Sequence, residues 1–214
     1  MAGTFITLEG IDGCGKSTQA ERLVQAFGRT GCEVVALREP GGTRISEKIR
    51  ALLLDPANAE MADECELLLY EASRAQLVRE VIVPALERGA VVVCDRFFDS
   101  TYANQHGGRG LDEALVNTCN QLGCCGVVPT CTVVLDLDPR DALGRATKDG
   151  ADRLEGEGLR FQERIRAAYL RLAHQEPERV EVIDATGTPD EVYERLVGAL
   201  ADLLPAPQRS EENR

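Results

Sequence analysis

The stretch FITLEGIDGCGKSTQ, residues 5–19, constrains the fold more than any other part of the chain. A β-branched apolar run at 4–9 leads into a glycine-rich turn, and a helical pattern follows at once. Gly10, Gly15, Lys16 and Ser17 fit the spacing G-x-x-x-x-G-K-[ST]. Glycines at such positions let successive backbone N–H groups turn inward around an anion, and the following helix adds the positive end of its dipole. The loop Gly10, Ile11, Asp12, Gly13, Cys14, Gly15, Lys16, Ser17 and Thr18 is therefore expected to cradle nucleotide phosphates. Lys16 would reach the β- and γ-phosphates, and the Ser17 hydroxyl would hold Mg2+.

The rest of the chain alternates between two periods. EVVALRE (33–39), AVVVCD (90–95), CTVVLDL (131–137) and VEVID (180–184) read as four further strands. Helical spacing runs over 17–29, closed by Gly31, over 46–54, over 60–86 with Pro84 bending or ending it, and over 111–122. Residues 96–110, RFFDSTYANQHGGRG, show no clear period and read as irregular. Five strands separated by helices imply an α/β fold with a doubly wound, five-stranded parallel sheet, and 90–95 is apolar enough to lie at its centre. Ligands bind at the carboxyl ends of such strands. Here those ends carry the glycine loop, Arg38-Glu39, Asp95-Arg96, Asp136 and Asp184. Asp95 closes its strand as expected of an aspartate that supports Mg2+ through bound water.

At 214 residues the chain has room for one domain, expected over 1–205, with a polar tail at 206–214 expected to be disordered. A charge of 24 − 36 = −12 argues against nucleic acid as a main partner, while local arginines can still make a positive pocket. No apolar run is long enough to span a membrane and the first residues carry no signal-peptide pattern, so a cytoplasmic location is expected. The eight cysteines form no C-x-x-C pair and the two histidines no ligand-like repeat with them, so free thiols are expected. Cys14 beside Lys16 has two readings, a small residue at a permissive position or an activated thiolate.

A phosphate loop can serve a switch, a motor or a kinase. No N-K-x-D guanine-reading motif is present, and the length leaves little room for a motor's partner-contacting regions. Arg38, Arg50, Arg74 and Arg96 precede a charged, glycine-rich segment at 144–160, which reads either as a mobile basic lid or as a solvated helix pair. Transfer of a phosphoryl group between two anions needs cations of this kind and a cover that excludes water.

Taken in order, FITLEGIDGCGKSTQ, LREPGGTRISEKIRALLLD, LLLYEASRAQLV, CDRFFDSTYANQHGGRG, LDLDPRDALGRA, DRLE and VIDAT resemble the thymidylate kinase family over nearly the whole chain. The resemblance implies a P-loop nucleoside-monophosphate kinase fold with a mobile lid, the reaction ATP + dTMP ⇌ ADP + dTDP with Mg2+, and a homodimer. It places Lys16 and the loop on ATP, with Arg145 and Lys148 as supporting lid residues. Arg96 would bridge the dTMP phosphate and the transferring group, with Arg38 and Arg50 on that phosphate. Asp12 would meet the sugar 3′-hydroxyl. Tyr70 would lie on the thymine face, Arg74 would bond a base carbonyl, and Ser100, Thr101 and Gln105 complete the acceptor site. Because Gly13 leaves the loop without a cation, Arg153 in DRLE is expected to supply it. Phe97 stands where the pattern has Tyr or His, and His106 replaces a glycine; both bear on substrate preference. Another nucleoside monophosphate as acceptor, or a nucleotide-binding protein without catalysis, remain as alternatives.

Overall fold

The computed structural model describes residues 3–146 and 157–204. Five strands form one parallel sheet in the order β2-β3-β1-β4-β5. They are β1 (Thr4–Glu9), β2 (Val34–Arg38), β3 (Val91–Asp95), β4 (Cys131–Asp136) and β5 (Val180–Asp184). The three central strands are buried almost throughout, whereas β2 and β5 expose residues at the edges. That pattern follows from helices covering both faces of a parallel sheet.

The pleat sends alternate side chains to opposite faces. Ile6, Leu8, Val91, Val93, Val133 and Leu135 join a core with Leu23 and Phe27 of α1 (Lys16–Gly28), Ile165 and Tyr169 of α8 (Leu159–Gln175), and Leu196 of α9 (Pro189–Ala199). Phe5, Val92 and Cys94 enter a second cluster with Leu77, Val78 and Phe97. Phe97, one of the two departures from the resemblance, is fully buried against Phe5.

The remaining helices are α2 (Arg44–Leu54), α3 (Asp63–Leu77), α4 (Val83–Glu87), α5 (Phe98–Thr101), α6 (Glu113–Gly123) and α7 (Pro139–Ala146). Two sequence expectations change. The helix from α3 runs on through a wider π turn at Val78–Ile82 into α4, and Pro84, which has no N–H to donate, falls directly after that turn. The stretch expected to be irregular is helical, α5 continuing into π turns over Tyr102–Gly108. Of the lid expected at 144–160, residues 147–156 lie outside the described residues, as does the tail from 205.

Strand register lines up the functional ends. Leu8 lies beside Asp95, and Asp95 beside Arg38. A buried polar strut then fixes α5 to the sheet. Arg179 pairs with both Asp99 oxygens at 2.7 and 2.8 Å, Thr132 donates to Asp99 at 2.8 Å, and Thr7 lies 2.8 Å from Thr132. Asp99 has no exposed surface. Arg179→Ala would leave that carboxylate buried and uncompensated, at a cost of about 3–5 kcal/mol. Urea unfolding of the variant checks this; a loss below about 1 kcal/mol would show that the strut does not hold α5.

Candidate active site

The loop between β1 and α1 takes the shape its glycines permit. Gly10 has φ +135, and a Cβ there would stand 2.7 Å from the Leu135 carbonyl oxygen and 2.8 Å from Cys14 Sγ. Only glycine fits both the backbone and the space. Gly15, also at positive φ, caps α1, so the first N–H groups of that helix open toward the loop. Lys16 is buried, its Nζ donating to the carbonyls of Gly10 (3.0 Å) and Ile11 (2.8 Å). Ser17 donates to Asp95 Oδ2 at 2.6 Å, while Asp95 Oδ1 is buried with no partner. A hydroxyl and an orphaned carboxylate oxygen are the hard donors that Mg2+ and its waters take.

The loop opens into a cavity of about 780 Å³. Every expected loop residue from Asp12 to Thr18 lines it, as do Arg38, Arg50, Tyr70, Asp95, Arg96, Ser100, Thr101 and Gln105. Arg38 is set by the turn that follows β2. Gly41, at φ +133, leaves room for its guanidinium, since a Cβ there would lie 2.4 Å from Nη1. Glu47 of α2 pairs with Arg38 at 3.2 Å and accepts the Gly42 N–H at 2.7 Å. Arg38 and Arg50 both donate to the Pro40 carbonyl, at 3.2 and 2.8 Å.

Arg96 ties the loop to the opposite wall. It donates to the Gly10 carbonyl (3.3 Å), to Ser100 Oγ (3.2 Å) and to Asp12, and its own backbone is left-handed at φ +72. Burial pushes the Asp12 carboxyl up, but Arg96 and Lys16 override it and hold the group below the usual carboxylate range. An arginine in that strained conformation needs support from its surroundings. Glu9, at the end of β1, supplies it: Oε1 accepts the Phe97 N–H at 2.7 Å, and Oε2 accepts from Ser100 Oγ (2.5 Å) and Tyr169 OH (2.9 Å).

Arg74, an expected site residue, stands behind the cavity wall, bonded to Thr101. It is absent from the cavity lining and only 1% exposed. Its five N–H groups go to Glu39 (2.9 Å), Glu71 (2.5 Å), Asn120 (3.2 Å), the Phe97 carbonyl (3.2 Å) and Thr101 Oγ1 (2.9 Å). A base carbonyl could gain Arg74 only if one of these acceptors released it. Arg145 falls at the end of α7, but its side chain, with Lys148 and Arg153, lies outside the described residues. His106 lines no part of the cavity; its Nδ1 lies 2.8 Å from the Leu111 carbonyl oxygen.

Cys14 is a buried thiol packed into the core beneath the loop. It is 2% exposed, and burial pushes its thiol up despite Lys16 and Arg96 nearby. All eight cysteines are free thiols. Among the described residues, no group of three or more His, Cys, Asp or Glu is placed to hold a metal ion, and no helix is long and apolar enough to cross a membrane.

Comparison with known proteins adds a family to this geometry. The family model described as Thymidylate kinase matches residues 8–196, most of the chain. The chain belongs to the thymidylate kinase family. A thymidylate kinase from Desulfosudis oleivorans is 50% identical over 204 residues, covering 92% of this chain and 95% of its own. One from Desulforapulum autotrophicum is 46% identical over 204 residues, covering 92% and 90%. The solved thymidylate kinase of Ehrlichia chaffeensis is 33% identical, with a TM-score of 0.73 over 94% of this chain and 99% of its own. The fold is that of the P-loop nucleoside-monophosphate kinases, and the family's reaction is the phosphorylation of dTMP to dTDP.

Sequence reading of this chain missed Glu9, Asn104 and the wall formed by Ala185, Gly187, Pro189 and Val192. Asn104 had a signal, lying inside the same block as Thr101 and Gln105; the others acquire a role only from the folded arrangement. Burial, with Asp99 adding to it, raises Glu9 to about 7 from 4.5. Between about pH 4.5 and 7 the folded chain therefore keeps a proton that the unfolded chain has lost, and Glu9's contribution to stability falls as pH rises through that window. Removing the titration with Glu9→Gln should make the variant gain on wild type as pH rises from about 4.5 to 7. Urea unfolding across that range tests it, and a pH-independent difference would refute the shift.

Proposed function

We propose that the chain transfers the γ-phosphoryl group of ATP to dTMP, releasing ADP and dTDP, with Mg2+ bound at Ser17 and, through water, at Asp95. One observation carries the reading: Arg96 reaches both the phosphate loop and Ser100 on the acceptor wall of the same cavity. Two anions that must meet need a cation anchored to both of their sites.

The dTMP phosphate oxygen attacks the γ-phosphorus in line, and no covalent enzyme intermediate is required. Lys16 turns from the Gly10 and Ile11 carbonyls onto the ATP phosphates. Arg96 follows the charge as it moves toward the acceptor, and Arg38 and Arg50 fix the acceptor phosphate. Bound Mg2+ supplies neutralisation of the charge on the donor phosphates. Asp12, a carboxylate held beside Arg96, accepts from the 3′-hydroxyl. The ring of Tyr70 with Thr101 and Gln105 forms the base pocket, and Arg74 stands behind Thr101 and reads the base carbonyl by exchanging one of its protein acceptors for it. Gly13 leaves the loop neutral, so Arg153 supplies the closing cation, with Arg145 and Lys148 in support. Free thiols throughout support a cytoplasmic setting. The exposed Ile45 and Leu52 on α2, Leu68 on α3, and Leu115 and Leu122 on α6 support a homodimer across these adjacent helices. Light scattering giving the mass of a single chain would remove the dimer.

A coupled assay with ATP across a panel of nucleoside monophosphates should show turnover with dTMP above UMP and CMP. Arg153→Ala in the same assay should lower kcat by about 100-fold or more with little change in the KM for dTMP. A panel preferring another nucleotide overturns the acceptor, and a variant altered only in KM removes Arg153 from the chemistry.

A further inference from the structure

Glu66 of α3 has no exposed surface, and among the described residues three N–H donors hold it. Its Oε1 accepts from Gln105 Nε2 at 2.8 Å and from Arg109 Nε at 3.2 Å, and its Oε2 accepts from Arg109 Nη2 at 3.0 Å. Arg109 is steadied in turn by Asp63 at 3.5 Å, by Glu157 and by the face of the Phe161 ring, 5.1 Å from its centroid. Beside that guanidinium, both Glu66 oxygens offer lone pairs only.

This has a consequence for Gln105. A glutamine amide can present either end, and its hydrogen-bond network decides which. Turning the Gln105 amide over would set its carbonyl against the Glu66 carboxylate, two acceptors in a place where neither residue has more than 1% of its surface exposed. Such a mismatch at that depth is costly. The nitrogen therefore stays on Glu66. Gln105 Oε1 has no hydrogen-bond partner among the described residues, and Gln105 lines the cavity with Tyr70 and Thr101.

We propose, on the basis of the dTMP reading, that Glu66 is a positioning residue that sets which pyrimidine the site accepts. By pinning the Gln105 nitrogen it leaves the carbonyl oxygen to meet the base. Thymine and uracil both carry a ring N–H at position 3 that can donate to that oxygen. Cytosine carries a bare nitrogen there and meets it acceptor to acceptor. Glu66 thus separates keto from amino pyrimidines and leaves thymine and uracil alike, since they share that edge. The methyl group must be read elsewhere.

Steady-state kinetics on the full chain with dTMP, dUMP and dCMP test this for wild type, Glu66→Gln and Glu66→Asp. The glutamine variant can itself donate and frees the Gln105 amide to turn. Its kcat/KM should fall for dTMP and dUMP by the same factor, about tenfold or more and mainly through KM, while the value for dCMP holds or rises. Glu66→Asp, which keeps the charge, should keep the wild-type ratio. A uniform loss on all three substrates marks Glu66 as structural only, and an unchanged dTMP to dCMP ratio likewise overturns the proposal. If the variants fail to fold, calorimetry of wild type with N3-methyl-dTMP decides. At least tenfold weaker binding than dTMP is expected, and equal binding sinks the proposal. Wild type that does not phosphorylate dTMP at all sinks the functional reading itself, an outcome separate from an intact ratio in the variant.

Discussion

Leu8, Asp95 and Arg38 stand side by side across β1, β3 and β2. Parallel pairing forces this, because strands that run the same way in register end at the same edge. The phosphate-handling groups start close to that line. Glu9 and the phosphate loop follow Leu8, Arg96 follows Asp95, and the turn that seats Arg38 and Arg50 follows β2. A one-residue slip of β3 would reverse the faces of Val92 and Val93 and carry Arg96 away from the loop. The apolar core therefore sets the position of the cations as surely as it sets stability.

Around that edge the polar groups are arranged in two tiers. Lys16, Arg96, Arg38 and Arg50 line the cavity and offer their charge to it. Glu9, Glu66, Arg74 and Asp99 are shut away from solvent and hold the first set, or the helices that carry it, in place. Burying that many ionisable groups is costly unless each finds partners. They find them in one another, and the same bonds that offset desolvation also limit each cavity side chain to a few orientations. The left-handed backbone of Arg96 is tolerable on those terms, since Glu9 grips the next peptide and Ser100 grips the guanidinium.

Legibility in the sequence follows the same division. The strands, the phosphate loop and its helix were readable because apolar period and glycine spacing are local signals. Residues 96–110 looked irregular because so many of their buried residues are polar: Asp99, Ser100, Thr101 and Gln105 face partners from other elements and leave no apolar stripe. Helix 60–86 looked interrupted because a proline is read one residue at a time, whereas the π turn ahead of it spans five. Phe97 and His106, which differ from the family pattern, looked like substrate contacts from their place in the chain. Their side chains in fact pack away from the cavity.

By itself the sequence determined the α/β class, the phosphate-holding loop and the family, since each rests on residues close together in the chain or on blocks in a fixed order. Only the tertiary structure decided that Arg74 is bonded to five acceptors, that Cys14 is a buried thiol, and that Glu66 accepts from the amide of Gln105. Glu66 and Gln105 are 39 residues apart, and no spacing rule relates them. A buried carboxylate acquires its meaning from whichever donors the packed helices bring within hydrogen-bond reach, and that distance exists only once the chain has folded.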